Sequence, residues 1–116
     1  MQTRIWHNPR CSKSRAALAL LEQRSISPTI VDYLKNPPTR AELEDLVAKL
    51  GCRVADIVRT SEPEYRAFIE SGGQPTDAAL LELLAREPRL LQRPIVEIDD
   101  RAVIGRPPEH VLELVP

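Results

Sequence analysis

Aromatic residues make up only 3% of the 116-residue chain, so any core must be aliphatic, built from Leu, Ile, Val and Ala. Cysteine is scarce too. The two present, Cys11 and Cys52, lie far apart and outside any closely spaced Cys/His set, so the residues hold no zinc-type metal site. Neither sign of charge dominates: 16 Lys and Arg stand against 17 Asp and Glu, which argues against a nucleic-acid footprint and makes any positive potential local. No apolar run approaches the roughly 20 residues that span a bilayer, and no basic stretch followed by an apolar run opens the chain. The expectation is a cytoplasmic protein with no membrane partner, whose reducing surroundings keep its thiols free. The length fits one domain, residues 1–116.

What is present is a clear alternation of element signals. Thr3 to Trp6 is a short β-prone run closed by Asn8-Pro9, and the Ala- and Leu-rich stretch from Ala16 to Glu22 favours helix. Thr29 to Tyr33 is β-branched and predicts a second strand, parallel to the first through a right-handed crossover. Thr39 and Glu42 have capping-box spacing, followed by a Leu/Val stripe that Gly51 ends. Further helices are predicted over Val54–Val58, Glu62–Glu70 and Thr76–Ala85. Pro94–Ile98 and Arg101–Ile104 flank Asp99-Asp100 as a hairpin, and Pro107-Pro108 opens a last helix over Glu109–Leu114. The order predicts an α/β fold of thioredoxin-like layout: a mixed four-stranded sheet with flanking helices and a helical insertion, about 39–87, between its βαβ and ββα halves.

Cys11 falls where the first strand turns into the first helix. A thiol there meets the positive end of the helix dipole and unpaired backbone N–H groups, both of which favour thiolate. Arg10, Lys13 and Arg15 add charge nearby. The same N–H groups can hold an oxyanion, so one loop can supply a nucleophile and part of an anion pocket.

The segments His7-Asn8-Pro9-Arg10-Cys11-Ser12-Lys13-Ser14-Arg15, Tyr33-Leu34 ahead of Pro37-Pro38-Thr39, Val58-Arg59, Gln92-Arg93-Pro94-Ile95-Val96 and Ile104-Gly105-Arg106-Pro107 follow one another over nearly the whole chain. Together they resemble the glutaredoxin-dependent arsenate reductase family. The resemblance implies an oxidoreductase with Cys11 as nucleophile and with Arg59, Arg93 and Arg106 binding and neutralising arsenate. It implies that His7 stands beside the cysteine and that Pro94 is the cis-proline of thioredoxin-like folds.

Such chemistry suits these residues. Arsenate is mostly a dianion near neutral pH, and the planar fork of arginine cancels its repulsion of a thiolate with paired hydrogen bonds. Ser14 stands where a dithiol oxidoreductase has its second cysteine, so a further thiol must come from outside the loop. The resemblance implies glutathione as co-substrate and glutaredoxin as partner, with no bound cofactor and arsenite as product. Two other functions use the same layout: a general glutathione-linked thiol–disulfide oxidoreductase acting through Cys11, and a thioredoxin-like transcription regulator that binds RNA polymerase. The regulator group typically carries a second loop cysteine, which Ser14 replaces. Cys52 reads as structural, His7 as either tuning the thiol or capping the loop, and Trp6 as core or pocket wall.

Overall fold

The computed structural model describes residues 2–115. Two compact units make up the chain, one of Met1–Asn36 with Arg93–Pro116, the other of Pro37–Gln92.

The first unit is built on a sheet. Strands β1 (Thr3–Trp6), β2 (Thr29–Val31), β3 (Ile95–Ile98) and β4 (Arg101–Ile104) lie in the order β2-β1-β3-β4, with helix α1 (Ser12–Gln23) joining the first two. β1 pairs parallel with β2, Ile5 against Ile30, and antiparallel with β3, Ile5 against Val96. The sheet is therefore mixed, and the β1–α1–β2 crossover satisfies the geometry that parallel neighbours require. β3 and β4 form the expected hairpin, turned by Asp99 at a φ of 55°. β2 is shorter than its β-branched sequence predicts: it stops at Val31, and Tyr33 lies in the following turn, fully buried.

Alternation along the strands sorts the two faces of the sheet. Ile5, Val96 and Ile98 join Ala17 and Leu21 of α1, Ile26 and Val111 in one aliphatic cluster, with Leu112 and Val115 packed against it. Val111 belongs to Pro108–Leu114, a 3-10 segment rather than an α-helix. On the opposite face Trp6 and Glu97 are buried, and the indole Nε1–H donates to Glu97 Oε2 at 2.6 Å. Arg4 Nε lies 3.5 Å from the same oxygen, and the Arg4 guanidinium sits 5.7 Å from the indole centroid. A carboxylate can stay buried here because it has an N–H donor and a cation beside it.

The second unit is helical: α2 (Arg40–Leu50), α3 (Pro63–Glu70) and α4 (Asp77–Arg86), with 3-10 turns at Val54–Ile57 and Pro88–Leu90. Thr39 caps α2 with both arms of the capping box, and Gly51 ends it in the left-handed conformation at φ 65°. Thr76 caps α4 by accepting from the Ala79 N–H at 3.2 Å. The Leu80, Leu81, Leu83 and Leu84 run is buried, as its near-continuous apolar character requires, and α4 packs on α2 and both 3-10 turns. Val54–Val58 is too short for α-helix. It makes one 3-10 turn, after which Val58 forms a bridge with Leu91. No helix among the described residues is long and apolar enough to cross a membrane.

Candidate active site

Cys11 is the N-cap residue of α1, in extended conformation at φ −95° and ψ 121°. The loop before it is shaped by Asn8, whose backbone carbonyl accepts from the Cys11 N–H at 3.0 Å and whose side-chain oxygen accepts from the Arg10 N–H at 3.0 Å. Such local bonds are what Asn and Pro supply in tight turns. Ser14 closes the loop from behind. It is fully buried, its Oγ accepts from the Asn8 N–H at 3.1 Å, and it lies 2.6 Å from His7 Nδ1. The His7 backbone N–H donates to the Val31 carbonyl at 3.0 Å, which ties the loop to the end of β2.

The thiol is partly buried and free. Burial alone would raise its pKa, yet the balance is a lowered value: the Ser14 N–H, the Arg93 side chain and the Lys13 N–H all stabilise the sulfur as thiolate, and Arg93 adds its charge. The first turn of α1 contains no acidic residue to oppose them. The pKa of His7 is lowered as well, but by burial. Asp32 opposes that and Arg15 adds to it, which favours a neutral imidazole.

Arg93 and Arg106 come from the far end of the chain to the same unit. Arg93 precedes Pro94 through a cis bond, and a second cis bond, which no sequence signal marked, joins Arg106 to Pro107. Arg106 Nε–H donates to the Arg93 carbonyl at 2.7 Å, and the Gly105 N–H donates to the Pro94 carbonyl at 2.8 Å. Arg93 Nε is buried without a hydrogen-bond partner among the described residues.

Arg59 belongs to the helical unit. Its Nη2 and Nε contact Glu62 Oε1 at 2.9 and 3.2 Å, its backbone N–H donates to the Leu90 carbonyl at 2.7 Å, and Arg89 approaches the other oxygen of Glu62 at 3.5 Å. Cys11, His7, Ser14, Arg93, Pro94 and Arg106 thus share the sheet unit, while Arg59 is carried by the other. Cys52 is partly buried in the helical unit, and burial together with Asp56 raises its pKa, so it lacks the thiolate character of Cys11. Among the described residues no group of three His, Cys, Asp or Glu side chains could hold a metal ion. Sequence reasoning missed the bracing of Arg93 by its neighbours. Gly105 stands inside the Ile104-Gly105-Arg106-Pro107 segment but reads there only as the end of a strand.

Comparison with known proteins agrees with this layout. The ArsC family model matches residues 6–114. The chain is 43% identical to the arsenate reductase of Neisseria meningitidis serogroup A over 95% of each chain. It is 42% identical to the Escherichia coli protein YfgD, itself uncharacterized, over 98% of this chain and 97% of that one. Among solved structures, the arsenate reductase from Vibrio cholerae superposes with a TM-score of 0.94 at 42% identity, covering 99% of this chain and 98% of its own.

Proposed function

The chain belongs to the ArsC family, and from that premise we propose that it is an oxidoreductase that reduces arsenate to arsenite at Cys11. The observation that supports this best is the meeting of a thiol of lowered pKa with Arg93, an arginine whose buried Nε–H lacks an acceptor among the described residues. A disulfide exchanger needs the thiolate alone. An enzyme for a tetrahedral oxyanion needs donors beside it, because nucleophile and substrate are both negative.

In the proposed reaction the Cys11 thiolate displaces one arsenate oxygen, which leaves as water once protonated, and an S–As bond forms while arsenic stays pentavalent. Arg93 and Arg106 bind the remaining oxygens, with Arg59 as the third arginine. Glutathione displaces a second oxygen and forms its own S–As bond. A glutaredoxin thiolate then attacks the glutathione sulfur. The electron pair of that S–As bond stays on arsenic, reducing it to the trivalent state, and a mixed disulfide departs. Hydrolysis of the Cys11–As bond returns the thiolate and releases arsenite. The two electrons come from the two external thiols, so the loop needs no second cysteine and Ser14 can serve structure instead.

The test is NADPH consumption coupled through glutathione reductase, glutathione and glutaredoxin, with and without arsenate. Cys11→Ser should show no arsenate-dependent turnover. Arg93→Ala should lose about 10²–10³-fold in kcat, as removal of one oxyanion donor does elsewhere. Full activity of Cys11→Ser, or turnover of the wild type that does not depend on arsenate, would overturn the reading, the latter in favour of thiol–disulfide exchange.

A further inference from the structure

We propose that Gly105 and Arg106 are positioning residues for Arg93, and that Arg106 acts on Cys11 through its hydrogen bond to the Arg93 backbone rather than through its own charge. This goes beyond the assignment of Arg106 as an arsenate ligand and does not depend on arsenate being the substrate.

Two hydrogen bonds join residues 93–94 to residues 105–106, and a third, steric constraint acts between them. The Gly105 N–H donates to the Pro94 carbonyl, and Arg106 Nε–H donates to the Arg93 carbonyl at 2.7 Å. The third is steric: a Cβ on Gly105 would lie 2.9 Å from Pro94 Cγ and 3.1 Å from Val111 Cγ1. Val111 is fully buried in the aliphatic cluster and has little room to yield. A side chain at 105 must therefore push on the Pro94 ring, and with it on the residue that carries the guanidinium beside Cys11. The Arg93 side chain cannot anchor itself at Nε, since that atom has no partner among the described residues. Its backbone, in contrast, is held from 105 and 106.

The Arg93 side chain favours the Cys11 thiolate by hydrogen bonding and by charge, whereas the contact that Arg106 makes is with the Arg93 backbone. The side chain of Arg106 is thus divided in role. Nε holds Arg93, and only the terminal nitrogens are left for an anion. Glutamine is the informative substitution, because its side-chain nitrogen occupies the same place along the chain as arginine Nε. It keeps the donor and removes the charge. Methionine has similar length and removes both.

The measurement is the pH dependence of Cys11 alkylation by iodoacetamide in the substrate-free protein, made in a Cys52→Ser background so that one thiol reports. Arg106→Met should move the midpoint to higher pH and slow alkylation several-fold below it, whereas Arg106→Gln should leave the midpoint where it is. The Arg106→Met effect should vanish when Arg93 is already alanine, because the two residues then act along one path. Gly105→Ala should shift the midpoint in the same direction as Arg106→Met. Equal shifts in the Gln and Met variants, no shift in either, or a Met effect that persists without Arg93 would each overturn the proposal. None of these outcomes reports on arsenate, so failure here is separable from failure of the proposed activity.

Discussion

At the scale of single residues, chemistry is concentrated in the Cys11 loop. Opposing influences act on the thiol, and the donors outweigh burial. The lowered pKa means that thiolate persists below the ordinary thiol range and is lost as pH falls through the shifted value. Alkylation of Cys11 should therefore stay fast at neutral pH where that of Cys52, shifted upward, is slow; mass spectrometry of the two tryptic peptides after a brief iodoacetamide pulse measures the contrast. His7 gives a second pH effect of determined sign. Because burial lowers its pKa in the folded protein, the unfolded chain takes up the proton first. The stability that His7 contributes is complete above about pH 6.5 and declines as pH falls through that value toward the folded one. Urea midpoints between about pH 5 and 8 should show this slope, and His7→Gln should flatten it. The place of Cys11 at the start of α1 could be anticipated from sequence, since the Asn8-Pro9 turn ahead of it leads into an Ala- and Leu-rich run. The burial of Ser14 against His7 and Asn8 could not, because it depends on a chain reversal that brings positions 7 and 14 together.

Among the elements, the capped helices follow their sequence signals most closely. Thr39 and Glu42 cap α2 reciprocally and Gly51 closes it, all three positions being prescribed by backbone chemistry that acts within a few residues. Thr39→Ala should cost about 0.5–2 kcal/mol, read by chemical denaturation. Gly51→Ala meets no atom within 4 Å, so its cost is the left-handed backbone alone, about 1–2 kcal/mol. Segments without such punctuation carry weaker local signals. Val54–Ile57 and Pro108–Leu114 adopt 3-10 rather than α geometry, and β2 ends two residues early at Val31. In each case tertiary packing decides what local propensity leaves open.

In the molecule as a whole, the order of strands and helices is the level most legible from sequence, because the period of hydrophobic residues changes from two to near four and back along the chain. The mixed sheet follows from it, since β1–α1–β2 demands a parallel pair and the β3–β4 turn an antiparallel one. Less legible was the buried polar group Glu97, an acidic residue in the middle of a strand that is otherwise Ile and Val. Its partners Trp6 and Arg4 lie on another strand far away in sequence. The aliphatic cluster carries much of the sheet unit's stability. Leu21→Ala, at a fully buried position within it, should cost about 2–5 kcal/mol and lower the denaturation midpoint.

The strand order β2-β1-β3-β4 also sets a schedule during protein synthesis. Cys11 is made early, with the strand and helix that flank it, but β1 finds its antiparallel neighbour only when residues 95–98 have been made, after the whole of Pro37–Gln92. Arg93 arrives with that neighbour, and Arg106 only after the hairpin that follows. A nascent chain therefore carries its thiol through most of its synthesis without the guanidinium that favours its ionised form. The ionisation of Cys11 in the finished protein thus rests in part on a residue that reaches it only when the last strands close the sheet.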